Sequence, residues 1–478
     1  MCSLTFWLFL LLTFHFARTQ PIFNGPPFGF NQGPPPQHRR GPPGISVEPE
    51  PRPFGLGQLV REVVSGVASD IQNNPGQASI GNIINSAISH VLPRVPLINI
   101  RDPLVGVNGE LVKIINQFQY RFGQINDENR RQMQDVCNFI NCNNQPEHVH
   151  VERKKVIEFE RETHGKDTQN EVEMRFARTQ QVKEAMLQKA KITGVQPINN
   201  GVLEKDILLT ENQANFLLND LGKGGSGSRN ARSSIFFEEN PIQHWDVFKP
   251  IHYTFDDSLE ELDKKDVKDA LQAISIKTCL LFRYQEKPSG AHLKYMKVDS
   301  ASFCGLSYIG KTEPANPIYL SFQCANSKGV AIHETLHALG IIHQQLRIDR
   351  DKHVKIDWSN INPQQFDAFA ISDTKLYSTY GIPYSYDSIM HYDPYTAAVN
   401  ISKPTMIPLK NATVNFAKMG QRNDLSRSDV RLIKKIYCRT DCHDKNVYCG
   451  TWALHGFCKD AKHNVWMRQN CKASCDTC

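Results

Sequence analysis

The sequence predicts an α+β domain followed by a small module that disulfide bonds hold together. Between residues 245 and 438, apolar side chains within residues 267–274 recur at the i, i+3, i+4, i+7 spacing of one helix face. In the same stretch, residues 279–284 and 318–322 form short apolar runs that are typical of strands. Residues 442–478 contain six cysteines, a density that leaves little room for a hydrophobic core. Disulfides must therefore stabilise this last unit.

The length of the chain predicts more than one structural unit. A single core seldom serves 478 residues, and the 40% of hydrophobic residues is enough for a packed domain. The formal net charge of +6 is small for this length and forms no basic stripe. Nucleic acid is therefore not an expected partner.

The first 20 residues are interpreted as a secretory signal peptide. An uncharged apolar run occupies residues 4–14, and small or polar residues follow at Ala17 and Thr19. The positively charged start that such peptides usually have is missing. A membrane anchor is the alternative, although the run is short for a bilayer span. No other stretch could span a membrane, so we expect a secreted, extracellular protein.

The cysteine count also favours an oxidising compartment. Of the 13 cysteines, Cys2 falls in the predicted signal peptide, which leaves an even set of twelve for disulfides. Cys137 and Cys142 could close a short loop. Two glycosylation sequons begin at Asn400 and Asn411 and fit a secreted protein. Such triplets also arise by chance and often carry no glycan.

Residues 21–232 are interpreted as a pro-segment. Residues 21–56 are rich in Pro, Gly and Gln and cannot bury a core, so we expect disorder there. Residues 57–120 carry amphipathic patches at helical spacing, and residues 147–195 are predicted to form helices with interleaved Glu and Lys on a solvated face. No catalytic cluster is visible, and a loosely folded segment accounts for these patterns.

A processing site is predicted at the end of this segment. A Gly/Ser-rich linker occupies residues 222–228 and is followed at once by Arg229 and Arg232. An extended, exposed linker that carries arginines can enter the cleft of an activating protease. The sequence leaves open whether cleavage follows Arg229 or Arg232.

The strongest chemical signal is a three-histidine motif that begins at His333. On a helix, His333 and His337 lie four residues apart on one face, so two imidazoles can reach one ion. Gly340 can adopt a left-handed conformation and turn the chain back, which allows His343 to bind from a separate segment. Three neutral imidazoles suit one Zn²⁺ and leave a coordination position open, as in catalytic zinc sites. Glu334 is rotated away from the ion but can reach a water on it and act as general base.

These residues carry a resemblance to a known family. The segment from His333 to Asp351 has the pattern HExxHxxGxxHxxxRxDRD and resembles the signature of the astacin metalloproteases, which are metzincins. Residues 388–392, Ser-Ile-Met-His-Tyr, resemble the Met-turn of that family, in which the methionine (here Met390) lies beneath the zinc. The resemblance implies that Tyr392 is an additional zinc ligand that also stabilises the oxyanion of the transition state.

The resemblance also implies an architecture. We expect a two-subdomain metzincin-type protease domain with a central zinc cleft, in which a sheet-and-helix subdomain precedes Gly340 and a less regular one follows. The cysteine-rich end resembles a ShK toxin-like module. The implied domains are a signal peptide at 1–20, the pro-segment at 21–232, the catalytic domain at 233–438 and the ShK-like module at 442–478.

Disulfide pairs follow from the same resemblance. Astacin domains carry a long bridge and a short one, which Cys279–Cys438 and Cys304–Cys324 match. The ShK family would pair Cys442–Cys478, Cys449–Cys471 and Cys458–Cys475, although spacing alone leaves all 15 connectivities of six cysteines open. The pore-blocking Lys-Tyr pair of some ShK relatives is absent from residues 465–469. The module is therefore interpreted as an interaction or positioning domain.

Three positions outside the zinc motif complete the predicted site. Astacin pro-segments often carry an F-x-G-D motif whose aspartate occupies the open zinc position. Here only Asp206 of that motif is present, because Leu203 stands in place of the aromatic residue and Lys205 in place of the glycine. Gln344 follows the third histidine, where the family usually has a glutamate that anchors the new N-terminus after activation. Arg422 matches a position that places a cation in the pocket after the scissile bond in several astacins.

The predicted function is a secreted zinc endopeptidase, made as a latent zymogen and activated by proteolytic removal of the pro-segment. Its partners would be extracellular protein or peptide substrates and an activating protease. The alternatives are a non-catalytic extracellular binding or matrix protein that acts through the cysteine-rich module, and a metal-binding pseudoenzyme. The presence of both Glu334 and Tyr392 favours the enzyme, because loss of the general base is the usual way to inactivate such a site.

Overall fold

The fold was analysed in a computed structural model. It describes residues 125–164, 169–222, 244–300, 302–371, 378–438, 442–446 and 448–478. The predicted signal peptide, the Pro/Gly-rich stretch and the predicted cleavage sites after Arg229 and Arg232 lie outside these ranges. Among the described helices, none is both long enough and apolar enough to cross a membrane.

The N-terminal arm, defined as residues 125–222, is mainly helical. Asn126 caps its first helix by accepting a hydrogen bond from the backbone of Asn129, and the Cys137–Cys142 disulfide closes a tight loop at the end of that helix. The arm contains the following elements: α1 Asp127–Ile140, α2 Glu147–His164, α3 Gln169–Lys189, β1 Ile207–Leu208 and α4 Glu211–Gly222.

A six-stranded sheet forms the first half of the protease domain and takes one strand from the arm. The strand order is β1-β5-β6-β4-β2-β3. Only β5 and β6 pair in antiparallel fashion among these neighbours, and β1 runs parallel to β5 at the edge. The elements are β2 Ile251–Phe255, α5 Glu261–Lys277, β3 Phe282–Tyr284, β4 His292–Lys297, β5 Gly305–Tyr308 and β6 Ala315–Leu320.

Two helices cover one face of this sheet. A capping box between Glu260 and Asp263 starts α5, and the apolar face predicted for residues 267–274 is buried. Helix α6 (Ser327–Ala338) packs beside α5, and every residue from Gly329 to Ala338 is buried. A helix that is buried all round must lie at the centre of a domain, so α6 is the element that can bring side chains into the interior.

A less regular half follows Gly340, as expected. Gly340 adopts a φ of 84° and ends the α6 region with the predicted left-handed turn. The Cys279–Cys438 disulfide joins the end of this half to the region after α5, and Cys304–Cys324 joins the ends of β5 and β6. The elements are β7 Val354–Ile356, β8 Met406–Pro408, α7 Ala412–Phe416 and α8 Arg427–Tyr437, with 3₁₀ helices at Gln344–Leu346, Arg350–Lys352 and Pro363–Ala368.

The expectation of a loosely folded pro-segment is wrong for the described arm. Buried apolar residues of the arm share one cluster with the half that follows Gly340, and a second cluster with the outer face of the sheet. The charged composition of α2 and α3 concealed this packing, because charged residues such as Glu160 and Lys183 are themselves buried. The arm is thus folded against the protease domain along both of its halves.

The C-terminal module is a compact disulfide-linked unit. Its helices are α9 Cys449–Leu454, α10 Asn464–Asn470 and α11 Lys472–Cys475. The structure pairs Cys442–Cys478, Cys449–Cys471 and Cys458–Cys475, and no bridge among the described cysteines leaves the module. The side chain of Trp452 is fully buried and shares a small apolar core with Tyr448, Met467 and the cysteines Cys449 and Cys471.

The module packs directly on the protease domain. The Lys435 ammonium, on α8, donates to the carbonyl of Ala473 at 2.7 Å and pairs with Asp476 at 3.1 Å. Gly450 lies so close to the protease domain that an added Cβ would stand 2.6 Å from the backbone nitrogen of Tyr380. Close backbone approach of this kind requires glycine, so the orientation of the module is specific.

This contact predicts the effect of a larger side chain at position 450. Gly450→Val should lower the free energy of unfolding by about 1–3 kcal/mol, because the new methyl groups overlap the backbone at Tyr380. Thermal unfolding followed by circular dichroism measures the change. Ala461→Val is the matched control, because Ala461 is exposed in the same module. Equal melting temperatures for the two variants would mean that the module does not pack against this surface in solution.

Candidate active site

Helix α6 supplies the first two histidines of the site. His333 and His337 lie one helical turn apart, and both side chains are buried. The turn at Gly340 then reverses the chain, so that His343 approaches from the other side, with its ring centroid 4.6 Å from that of His337 and 5.4 Å from that of His333. The motif at His333 therefore produces the convergence that its spacing predicts.

The three imidazoles meet at a carboxylate from the N-terminal arm. Asp206 Oδ2 lies 3.3 Å from His333 Nε2 and 3.2 Å from His343 Nε2, and Asp206 Oδ1 lies 3.7 Å from His337 Nε2. The candidate ligand atoms of these four residues all lie within 4.8 Å of one another. Such a cluster of imidazole nitrogens around one carboxylate has the donor set of a zinc site.

The outward contacts of the three rings are compatible with a metal site. His333 Nδ1 lies 2.8 Å from the carbonyl oxygen of Ile389, and His337 Nδ1 lies 2.8 Å from that of Ile341. His343 Nδ1 lies 3.1 Å from Glu204 Oε2. With the hydrogen of each ring on Nδ1, these contacts are outward hydrogen bonds and an Nε2 lone pair faces the centre. In that protonation state, three lone pairs and a carboxylate repel one another unless a cation lies between them.

Glu334 is placed to contact whatever binds beside this centre. Its side chain is buried, and Oε2 has no hydrogen-bond partner among the described residues. Burial, followed by the Asp206 carboxylate, raises the pKa of Glu334 well above its usual value, whereas Arg422 lowers it. A cation at the centre would favour the ionised carboxylate that a general base needs.

Close contact with β5 holds Glu334 in position. A Cβ added at Gly305 would lie 2.4 Å from Glu334 Oε1 and 2.5 Å from its Cγ. Only glycine leaves this space, so the first residue of β5 determines where the carboxylate can lie. Sequence analysis did not identify Gly305, because the contact joins a strand to a helix.

The Met-turn is held in place from α8. Asp429 Oδ1 accepts a hydrogen bond from the Ser388 hydroxyl at 2.6 Å, and its Oδ2 accepts from the backbone of Ile389 at 3.0 Å. Ser426 and Asp429 also form the capping box that begins α8. Sequence analysis identified neither role of Asp429. Met390 is buried in the cluster that also contains the apolar residues of α6.

Tyr392 lies against the third histidine. The two ring centroids are 4.3 Å apart, and the Tyr392 hydroxyl is buried without a hydrogen-bond partner among the described residues. His391 stabilises this stretch, because its ring nitrogens lie 2.7 Å from the Tyr384 hydroxyl and 2.7 Å from the Tyr392 carbonyl oxygen. A buried hydroxyl with no partner is unfavourable, so it marks a place where another group is expected to bind.

Asp206 stands on a tight turn of the arm. Leu203 and Ile207 exchange backbone hydrogen bonds of 2.8 and 2.9 Å, which closes the turn. Lys205 adopts a φ of 80°, a left-handed conformation that favours glycine, at the position where the resemblance implies a glycine. The amide of Ser307 on β5 donates to the Asp206 carbonyl at 3.0 Å and ties the turn to the sheet.

The remaining predicted positions fall in different places. Arg422 Nη1 donates to the carbonyls of Ile389 and His391, so its guanidinium lies beside the Met-turn. Its role in a substrate pocket stays a prediction. The Gln344 backbone donates to Met390 O, and its buried Nε2 has no partner among the described residues. Asn400 and Asn411 of the two sequons are exposed.

Comparison with known proteins identifies the family. The family model described as Astacin, a peptidase family, matches residues 237–438, and the ShK domain-like model matches residues 441–478. The zinc metalloproteinase nas-9 of Caenorhabditis elegans is 51% identical over 459 residues, which cover 91% of this chain and 84% of the relative. The chain belongs to the astacin family.

Two further proteins are similar to parts of this astacin. The zinc metalloproteinase nas-10 of Caenorhabditis elegans is 52% identical over 84% of the chain and 77% of the relative. Among solved structures, the hatching enzyme zinc-protease HCE-1 of the medaka Oryzias latipes is 27% identical. It covers 42% of this chain and 99% of its own, with a TM-score of 0.36.

Family membership and the site geometry agree on the chemistry. The protein is a zinc metalloprotease with one zinc ion, and the cluster of Asp206 and the three histidines is able to hold it. The expected α+β protease fold and the ShK-like module are confirmed. Sequence analysis missed Glu204, Gly305 and Asp429, each of which touches the site across a long separation in the chain.

The contact between Gly305 and Glu334 predicts a selective loss of activity in this astacin. Gly305→Ala should lower kcat/KM for a short peptide by roughly tenfold or more, because the added methyl displaces the Glu334 side chain. A loss of about 1.4 kcal/mol of transition-state stabilisation is enough for a tenfold effect. Zinc content should not change, since the added methyl points at Glu334 rather than at the histidines. Metal analysis and peptide hydrolysis after removal of the arm test both statements. Ser302→Ala, outside the strand, is the control, and equal activity of the two variants would contradict the assigned contact.

Proposed function

We propose that the protein is a secreted zinc endopeptidase that is made as a latent zymogen. One observation carries this proposal: a carboxylate of the N-terminal arm, Asp206, lies at the centre of His333, His337 and His343. In that position it would take the coordination site that a catalytic zinc needs for water or substrate. Activation would then require removal of the arm, which would begin with cleavage after Arg229 or Arg232.

The residues around the centre support a peptide-hydrolysing mechanism. His333, His337 and His343 would hold the zinc, which supplies Lewis acidity and favours ionisation of a nearby water. Glu334 would take the proton of the attacking water and return it to the leaving amine. The Tyr392 hydroxyl, which has no partner among the described residues, would donate to the oxygen that becomes negative in the transition state. The outward Nδ1 hydrogen bonds would keep the three rings oriented throughout.

Latency would rest on more than the zinc ligand. Strand β1 of the arm pairs with the edge strand β5, next to the position of Glu334. An extended substrate that used the same edge would have to displace β1. Glu204 adds a second carboxylate contact to the centre through His343 Nδ1. We therefore assign residues 21–232 to the pro-segment and residues 233–438 to the catalytic domain.

The outer regions of the chain fit an extracellular protease. The proposed signal peptide at 1–20, the two exposed sequons and the six disulfides of the structure are compatible with secretion. The module at 442–478 would bind or position extracellular protein substrates rather than take part in the reaction. Family membership favours this function over the non-catalytic alternative.

The proposed general base predicts the effect of removing one carboxylate. Glu334→Gln should lower peptide hydrolysis by about 10²–10⁴-fold, because the proton acceptor is lost while the shape of the side chain is kept. Zinc should remain bound, as the three imidazoles are unchanged. Glu286→Gln, an exposed glutamate, is the matched control. A zinc-loaded Glu334→Gln enzyme with normal activity would refute the assignment.

The proposed block predicts a gain of activity in the uncut precursor. Asp206→Ala should raise its peptide hydrolysis by roughly tenfold or more, because losing even about 1.4 kcal/mol of a blocking contact shifts the open fraction tenfold. The assay uses the intact chain, checked by gel electrophoresis before and after. Asp135→Ala, on the exposed side of α1, should leave the precursor inactive. If Asp206→Ala is also inactive, the carboxylate is not the contact that limits the activity of the precursor.

A further inference from the structure

The contact between the arm and the protease domain is a continuous packed interface rather than a single clamp. Twelve buried apolar residues of the arm belong to one cluster with the half that follows Gly340, and five belong to a cluster with the outer face of the sheet. The arm residues of the second cluster are Val156, Val172, Phe176, Val202 and Leu208, and their protease partners are Met296, Val298, Phe303, Leu306, Tyr308 and Tyr319.

A buried carboxylate joins α2 to the outer face of the sheet. Glu160 is fully buried and accepts hydrogen bonds from the hydroxyls of Tyr308 and Tyr319, the latter at 2.8 Å. Arg175 of α3 forms an ion pair with the same carboxylate. Phe159 stacks on Tyr319 with a ring distance of 5.8 Å. Charged hydrogen bonds of this kind are strong and depend on the partner's geometry.

A second polar contact joins α3 to the 3₁₀ helix Pro363–Ala368. Asp367 Oδ2 lies 3.6 Å from the Lys183 ammonium and accepts the backbone N–H of Glu204 at 2.8 Å, and both charged side chains are buried. From the same helix, Gln364 Nε2 donates to carbonyl oxygens of Cys142, Asn144 and Gln196 at 3.3, 2.9 and 3.0 Å. Removing one partner of such a buried pair is costly, so the arm is held at two separate surfaces.

We propose that the arm, residues 125–222, stays bound to the protease domain as a non-covalent inhibitor after the activating cut, so that activity requires its later dissociation or degradation. This inference rests on the proposed zymogen function. The predicted cuts after Arg229 and Arg232 lie outside the described residues. Every residue that makes the contacts named above lies either before residue 223 or in the protease domain. The cut therefore removes the covalent tether and none of these contacts.

The nature of the interface explains why the tether matters little. Separation would expose the apolar faces of both clusters to water, and burial of such faces is the main favourable term in stable association. It would also deprive Glu160 of its two tyrosine donors, and Asp367 of Lys183 and the Glu204 amide. Interfaces that resemble a divided hydrophobic core belong to permanent complexes rather than to transient ones. A cut linker lowers the effective concentration of the arm, but the packed contacts keep it in place.

A cut that is placed by design tests this proposal in the full chain. Residues 224–228 are replaced by the recognition sequence of a site-specific protease, and the purified precursor is cut to completion. We expect the two fragments to elute together from a size-exclusion column, with peptide hydrolysis within about twofold of the uncut precursor. Fragments that separate, together with immediate full activity, would overturn the proposal. An uncut precursor that is already active would refute the proposed latency. In that case, co-elution of the two fragments would still test whether the arm is retained.

Variants of the two polar contacts identify what retains the arm. Glu160→Gln should speed dissociation of the cut arm by roughly 10- to 100-fold, since a charged, buried hydrogen-bond acceptor is lost. Glu158→Gln, exposed on the same helix, is the matched control and should elute like the unchanged protein. Lys183→Met provides an independent variant if Glu160→Gln does not fold. Unchanged retention in both Glu160→Gln and Lys183→Met would show that these contacts do not hold the arm.

Discussion

The rest of the structure depends on the meeting of one carboxylate with three imidazole nitrogens. Asp206 lies between His333, His337 and His343, and each ring is oriented by an outward Nδ1 hydrogen bond. The three nitrogens and the carboxylate form a donor set that suits zinc, and in the proposed zymogen the ion would join the arm to the protease domain electrostatically. The buried position of α6, the turn at Gly340 and the pairing of β1 with β5 all bring these atoms together.

The same centre explains why the residues proposed to be catalytic and the residue proposed to be inhibitory are so close in space. Glu334, Tyr392 and Asp206 all face the position at which a substrate carbonyl would bind in the proposed mechanism. Glu334 and the Tyr392 hydroxyl have buried oxygens without hydrogen-bond partners among the described residues, a costly arrangement that is typical of functional sites. The arm contributes one carboxylate to this centre and places a second, Glu204, behind His343.

The sequence predicted the zinc-binding residues well because their spacing follows directly from helix geometry. His333, His337 and the glycine turn are local features, and each takes the expected conformation. Contacts between distant segments were less accessible: nothing in the local pattern connects Asp429 with Ser388 or Asp367 with Glu204. Glu160 and Lys183 were misinterpreted for a related reason, since charged residues in a helix usually indicate solvent, and only the fold reveals that these two are paired and buried.

The Cys279–Cys438 disulfide also has a mechanical consequence. It closes α8 at its C-terminal end, while Asp429 near the start of the same helix holds the Met-turn. The module begins at Cys442, shortly beyond Cys438. A pull on the module reaches the protease domain at Cys438, where the chain is bonded both to α8 and, through the bridge, to the region after α5. Tension on α8 is therefore shared by a second covalent path.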